Sequence, residues 1–420
     1  MTKFFSIIFL SLFCFQIYSS PSEKILIYMD KTQTDHLKAY GVVYYALSNG
    51  VKGKWLLNYR GGSFILPDLS FLRKRLALMN VSYSIINVED EQSIDKIIEK
   101  NNMFSVELNK APKIAVYSPP NKGPWDDAVT LVLTYAKIPY KVIWDKQVLA
   151  GRLSEFDWLH LHHEDFTGQY GKFYSSYKHA SWYIKRVIAF RKAAKLAGYK
   201  SVAEHKRAVA QTIQTYVKNG GFLFAMCSAT DTIDIALATH GIDIIAPEID
   251  GTPVTPGYNN KLDYSATFAF TNFKIIVDPN IYEYSDIDID IRKEGIVFVP
   301  DTFTLFNFSA KIDVIPTILN QNHVNTIKGF LGQTTAFYRD KIKDKITILG
   351  KTKNKNRVKY IHGPYGKGQF TFYAGHDPEC YRHLVGMEPT NLNLYPNSPG
   401  YRLILNNILF PSARKKKLRT

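Results

Sequence analysis

The chain has 420 residues, with 53 Lys or Arg against 37 Asp or Glu, a formal net charge of +16 and only three cysteines. A chain of this length allows two or three domains and buries enough surface to fold without covalent staples, which excludes a disulfide framework. The basic excess is spread thinly except in the tail Arg414-Lys415-Lys416-Lys417-Leu418-Arg419; no nucleic-acid signature accompanies it, and its fitting partners are solvent or an anionic envelope surface.

At the amino end, Lys3, the apolar run from Phe4 to Phe15 and the small Ser19 and Ser20 read as a secretory signal over 1–20, so the chain is expected to be exported, periplasmic or secreted. Phe13 is too bulky to precede a lipidated Cys14. No later stretch reaches the roughly 20 apolar residues of a membrane helix. Removal of the signal leaves Cys227 and Cys380, which admit one bridge at most.

Residues 21–110 read as a small α/β unit: strand over 24–30, helix over 36–47, strand over 54–59, the turn Arg60-Gly61-Gly62, helix over 69–79, strand over 81–88 and helix over 89–102. Lys, Asn and Pro mark a boundary at 107–112. Alternation then restarts over 111–411, with strands at 113–117, 140–144 and 156–162 and helices at 125–137, 177–197 and 202–218. Strands alternating with helices imply parallel crossovers, whose ligands sit at the carboxyl ends of the strands. Over 242–317 the helical signal fades and a β-rich insertion is expected. Its Ser285-Asp286-Ile287-Asp288-Ile289-Asp290-Ile291 run alternates like a half-buried strand and lacks the loop geometry of a calcium site.

The densest signal is Gly220-Gly221-Phe222-Leu223-Phe224-Ala225-Met226-Cys227-Ser228-Ala229-Thr230-Asp231-Thr232, a buried strand turning sharply into a helix. An elbow that displays a side chain needs small residues two before and two after it, and Ala225 and Ala229 take those places around Cys227. Cys227 then reads either as a nucleophile whose thiolate the helix dipole favours, or as a small apolar filler of the junction. Ser228, Thr230 and Asp231 would line its pocket. Later, 368–375 reads as a strand delivering His376 to its own carboxyl end, with Asp377 and Glu379 as carboxylates able to orient the imidazole. The same Gly-His-Asp-Pro also suits a plain turn.

His160, His162, His163, Glu164 and Asp165 close the strand over 156–162, where alternation puts His160 and His162 on one face and His163 on the other. A metal shell would need further ligands from distant segments. No metal and no cofactor is expected, and His163 and Glu164 read as lining the cleft of Cys227.

The elbow and Gly375-His376-Asp377-Pro378-Glu379 together resemble the class I glutamine amidotransferase-like superfamily, nearest its trehalose-utilisation-type branch, over roughly 112–411. The resemblance implies a flavodoxin-like parallel sheet with Cys227 and His376 at its site. Alanines stand where amidotransferases carry the elbow glycines, and Glu379 lies three residues after His376 instead of two. The whole chain is also similar to exported bacterial proteins commonly labelled asparagine synthetase B, through the segment opening at Lys24 and through Asn58-Tyr59-Arg60-Gly61-Gly62-Ser63-Phe64. An ATP-dependent synthetase needs an amino-terminal cysteine and a Ser-Gly-Gly-x-Asp-Ser pyrophosphate loop, and this chain has neither, nor a Gly-x-x-x-x-Gly-Lys loop. Two functions fit: a Cys–His hydrolase or transferase acting on an amide or carbohydrate-derived substrate, or a noncatalytic ligand-binding or envelope-assembly protein retaining the fold.

Overall fold

Residues 23–120, 123, 127–288, 302–354, 356–382 and 384–413 are described by a computed structural model. The segment expected to be a signal, 1–20, and the basic run 414–419 lie outside them. The amino-terminal part contains β1 (Lys24–Ile27), α1 (His36–Ser48), β2 (Gly53–Leu57), β3 (Ser63–Pro67), α2 (Ser70–Leu78), β4 (Ser84–Ile86), α3 (Val88–Lys100) and β5 (Phe104–Leu108). Its sheet runs β4-β1-β3-β2-β5 with every pairing antiparallel. Positive φ at Asn58 and Gly62 reverses the chain between β2 and β3, so the turn at 60–62 opens directly into a strand. A capping box between Asn87 and Asp90 starts α3, and its Ile94 and Ile98 bury against Leu26, Leu56 and Ile65 of the sheet. Glu107 and Leu108, expected in a boundary, instead complete β5 on the edge beside β2.

The second part continues with β6 (Ile114–Tyr117), α4 (Ala128–Tyr135), β7 (Lys141–Ile143), α5 (Asp145–Leu149), β8 (Trp158–Leu161), α6 (Tyr174–Tyr177), α7 (Ser181–Leu196), α8 (Val202–Lys218), β9 (Phe222–Met226), α9 (Ala229–Ala238) and α10 (Pro247–Asp250). Then come β10 (Thr302–Leu305), α11 (Val314–Leu319), β11 (Thr326–Lys328), β12 (Phe337–Tyr338), β13 (Thr347–Ile348), β14 (Gly350–Thr352), β15 (Arg357–Val358), β16 (Tyr360–Tyr365), β17 (Gly368–Tyr373) and α12 (Pro399–Leu409). The central sheet runs β13-β16-β17-β9-β8-β6-β7: its pairings are parallel from β7 to β17 and antiparallel from β17 to β13. The chain is thus a mixed α/β protein.

Alternation along the parallel strands divides two cores. Val116, Trp158, Phe224 and Met226 face a cluster that includes α1, α4 and α12, so the amino-terminal part shares its core with this sheet face. Ala115, Leu159, Leu161, Leu223 and Ala225 face a second cluster containing Val209, Ile213 and Ile233. Strands covered on both faces read as unbroken apolar runs, which is why β8 and β9 are buried at every position.

The expected β-rich insertion is mostly turns. Among the described residues of 242–317 the only strand is β10, because the backbone here is held by side chains: Asp234 accepts from the N–H groups of Phe268, Ala269 and Phe270 at 2.6, 2.8 and 2.9 Å, and Asn259 Oδ1 from Ile275 at 2.7 Å. Ser285 and Asp288 make only single bridges, to Ile275 and Phe337, and 289–291 lie outside the described residues.

Candidate functional site

Ala225 pairs with Leu161 on one side and with Phe372 on the other, so the carboxyl ends of β8, β9 and β17 lie side by side. His162 and His163 follow the first, Cys227 the second and His376 the third. Cys227 has φ 51, the left-handed conformation that a displayed residue at a sharp strand-to-helix turn adopts at a cost in strain. Small residues permit the close approach: the N–H of Ala229 donates to His162 O at 3.0 Å.

The elbow is covered, however. Residues 330–335 cross above it as a strap: Gly375 N–H donates to Thr334 O at 2.7 Å and His376 N–H to Leu331 O at 3.0 Å. Gln333 donates its backbone N–H to Cys227 Sγ at 3.2 Å and its Nε2 to Gly171 O at 2.5 Å. Cys227 is 2% exposed. Burial pushes its thiol up to about 11, outweighing the downward pull of the surrounding N–H groups. Burial thus opposes the thiolate of the nucleophile reading and agrees with the alternative, Cys227 as a small apolar filler of the junction. No disulfide joins Cys227 to Cys380.

Three imidazoles gather beside this covered thiol. The His162 and His163 rings stack with centroids 3.8 Å apart and 14° between planes, and His376 lies 4.7 and 4.3 Å from them. The expected opposition of His162 and His163 fails because β8 ends at Leu161, beyond which the two-residue period no longer operates. Behind them Asp127 caps α4, accepting from Thr130 N–H at 2.8 Å, and its Oδ2 lies 3.2 Å from His160 Nε2 and 3.4 Å from His162 Nδ1. Burial raises the Asp127 carboxyl, but the two imidazoles more than offset it and hold the group well below its usual range. Burial lowers the His160 pKa, against the upward pull of the Asp127 carboxylate.

The remaining expected site residues divide. Asp231 is buried, with Thr334 Oγ1 donating to Oδ1 at 3.0 Å, and burial pushes it up to about 7. Ser228 is fully buried. Thr230 Oγ1 donates back to Cys227 O at 2.7 Å and so braces the elbow. Burial raises the Glu164 carboxyl, whose Oε2 lies 3.9 Å from Arg186 Nη2. The carboxylates expected to orient His376 have other partners: Asp377 Oδ1 accepts from Glu379 N–H at 2.8 Å and Cys380 N–H at 3.3 Å, and Glu379 binds Ser398 at the start of α12. Asp127 and Gln333 were not anticipated; Asp127 carries one local signal, an acidic residue at the start of a helix, and Gln333 carries none.

A cavity of 1170 Å³ lies at the amino ends of the strands, where Asp157, Phe222 and Gln369 line it with Tyr216, Ile315 and Phe410. That is the edge opposite the histidines.

No family profile and no curated protein matches the chain. Among solved structures, two cytoplasmic proteins of Salmonella typhimurium are similar at 12% identity and a TM-score of 0.36, covering 72% of this chain and 100% of theirs. A β-galactosidase from Bacillus circulans sp. alkalophilus is similar at 11% identity and a TM-score of 0.28, over 65% of this chain and 29% of the enzyme. Likenesses this slight carry no functional argument.

Proposed function

We infer that the chain is an exported, amidotransferase-like protein that binds a small amide or carbohydrate-derived ligand at the carboxyl edge of its central sheet through histidines, without a cysteine nucleophile. Its parallel strands follow the order second, first, third, fourth, fifth in β7-β6-β8-β9-β17, which supports a flavodoxin-like sheet. Ligands of such sheets sit where the order reverses, here between β6 and β8; Asp127 lies in the segment after β6, His160 near the end of β8 and His162 just beyond it. Export rests on Lys3 and the run to Phe15; among the described residues no helix is long and apolar enough to cross a membrane.

The observation that carries the noncatalytic reading is the Gln333 amide on a buried Cys227 thiol. Iodoacetamide labelling read by mass spectrometry tests it, in a Cys380→Ser background with and without His376→Ala. Negligible labelling at pH 6, indifferent to His376, is expected. Rapid labelling at pH 6 that His376→Ala abolishes would restore the Cys–His hydrolase or transferase. Calorimetric titration with glutamine, asparagine, glucose and trehalose tests the ligand: heat with at least one, weakened by His163→Ala and kept in Cys227→Ser, supports the site, and no heat with any removes it.

A further inference from the structure

We propose that His162, His163 and His376 form a three-histidine site for a divalent transition-metal ion of the zinc class. The proposal rests on the carboxyl edge being the ligand site and names what occupies it. The ligand atoms of the three side chains all lie within 4.8 Å of one another. They arrive from two separate strand ends, β8 and β17, which flank β9. His376 is the distant ligand that the local histidine run lacks.

His162 is built as a ligand. It is 2% exposed, and neither Nε2 nor Nδ1 has a hydrogen-bond partner among the described residues. Its Nδ1 faces Asp127 Oδ2 at 3.4 Å. A carboxylate behind an imidazole fixes the tautomer and raises the basicity of the other nitrogen, the usual arrangement around metal-bound histidine. Asp127 is itself fixed by Thr130 N–H and His160 Nε2.

Asp127, His160 and His162 form a second close group. It serves better as support, because Asp127 caps α4 and both His160 nitrogens are engaged, Nε2 on Asp127 and Nδ1 on Phe224 O at 3.3 Å.

Imidazole ligands select zinc, copper, nickel or iron over magnesium and calcium. Nitrogen–zinc bonds of about 2.0–2.1 Å bring tetrahedral ligand atoms to about 3.3 Å from one another, a contraction that side-chain rotation supplies. Three protein ligands leave a fourth position for water or substrate. His162 and His376 are buried whereas His163 is partly exposed, so that position opens on the His163 side. Cys227, already accepting from Gln333, stays outside the shell.

The full chain, stripped with EDTA, is titrated with Co(II) and followed by visible absorption, then exchanged with Zn(II) and assayed for metal content. One equivalent per chain and a tetrahedral cobalt spectrum are expected. His162→Ala, His163→Ala and His376→Ala should each lose the spectrum, Asp127→Asn should weaken binding by about 10- to 100-fold, and Cys227→Ser should leave it unchanged. Circular dichroism of the stripped variants separates ligand loss from unfolding, and His376→Gln supplies a second, milder variant. A wild-type chain with no cobalt spectrum and no retained zinc overturns the proposal, as does a spectrum that survives His376→Ala and His376→Gln in folded protein. Calorimetry on the stripped chain distinguishes the two failures: glutamine or trehalose heat without metal binding removes the metal alone, and metal binding without heat from any of the four compounds removes the small ligand alone.

Discussion

The backbone N–H of Gln333 donates to Cys227 Sγ at 3.2 Å, so the residue that the elbow presents is closed off by a strap from far along the chain. The strap lies close because of Gly332: a Cβ there would come within 2.9 Å of Gly375 C and His376 N, both backbone atoms that cannot step aside. Gly332→Ala should therefore lift the strap. The expected results are a loss of about 1–3 kcal/mol in stability, as for overpacked interiors, and faster alkylation of Cys227 at pH 8. Unchanged alkylation in a destabilised variant would show that the strap does not guard the thiol.

Asp231 provides a pH test. Its folded-state pKa is raised from 3.8 to about 7 by burial. The folded chain then holds this proton more tightly than the unfolded one, so the contribution is fully favourable below about pH 4 and is lost as pH rises through about 7. Asp231→Asn never carries the charge. Its stability should match the wild type near pH 4 and exceed it near pH 8, by up to roughly 4 kcal/mol from the size of the shift. Asp127 and His160, whose folded pKa values are lowered, oppose this slope but cancel in the difference. Urea midpoints of both proteins across pH 4–8 measure it; a gap that does not change with pH would mean that Asp231 does not titrate in this range.

Local patterns carried part of the fold. The apolar run of β9 and the small Ala225 and Ala229 located the elbow, because a sharp strand-to-helix turn imposes its demands on adjacent residues. The antiparallel amino-terminal sheet was less legible: β5 ends in the Glu107-Leu108 stretch, whose polar surroundings hide an edge strand. The histidine cluster depended on where β8 stops, and the strap on contacts between Gln333 and Cys227 that no spacing encodes. Asp377 and Glu379 follow His376 by one and three residues, near enough to suggest an orienting carboxylate, yet Asp377 Oδ1 accepts from the loop's own N–H groups and Glu379 binds Ser398.

Arg402 tests whether the two parts of the chain fold together. Its fully buried guanidinium donates from Nη1 to Met29 O at 2.9 Å, from Nε to Tyr40 Oη at 3.1 Å and from Nη2 to Gly61 O, joining α12 to the amino-terminal sheet. Arg402→Met removes the donor to Gly61 O and to Tyr40 Oη, while Met29 O keeps His36 Nε2 at 2.9 Å; each group left unsatisfied costs about 1–3 kcal/mol. A loss of roughly 3–5 kcal/mol in a single cooperative urea transition is expected, since α1 and α12 share one core. Two separated transitions in the wild type would contradict that coupling.

Lys206 and Asp145 anchor α8 beneath the candidate site. Lys206 Nζ lies 3.0 Å from Asp145 Oδ1 and 2.8 Å from Tyr117 Oη, over the Phe190 ring at 4.4 Å, with lysine and aspartate both essentially excluded from water. Tyr117 closes β6 and packs on Phe166, so this pair braces the strand end from which the Asp127 segment departs. Removing one member of a buried ion pair strands the other charge, whereas removing both does not. Lys206→Met should cost about 3–5 kcal/mol, and adding Asp145→Asn should recover a large share of that loss. Thermal and urea unfolding of the two singles and the double complete the cycle. A double variant no more stable than Lys206→Met would show that packing of the lysine stem over Phe190, and not the stranded carboxylate, dominates at this position.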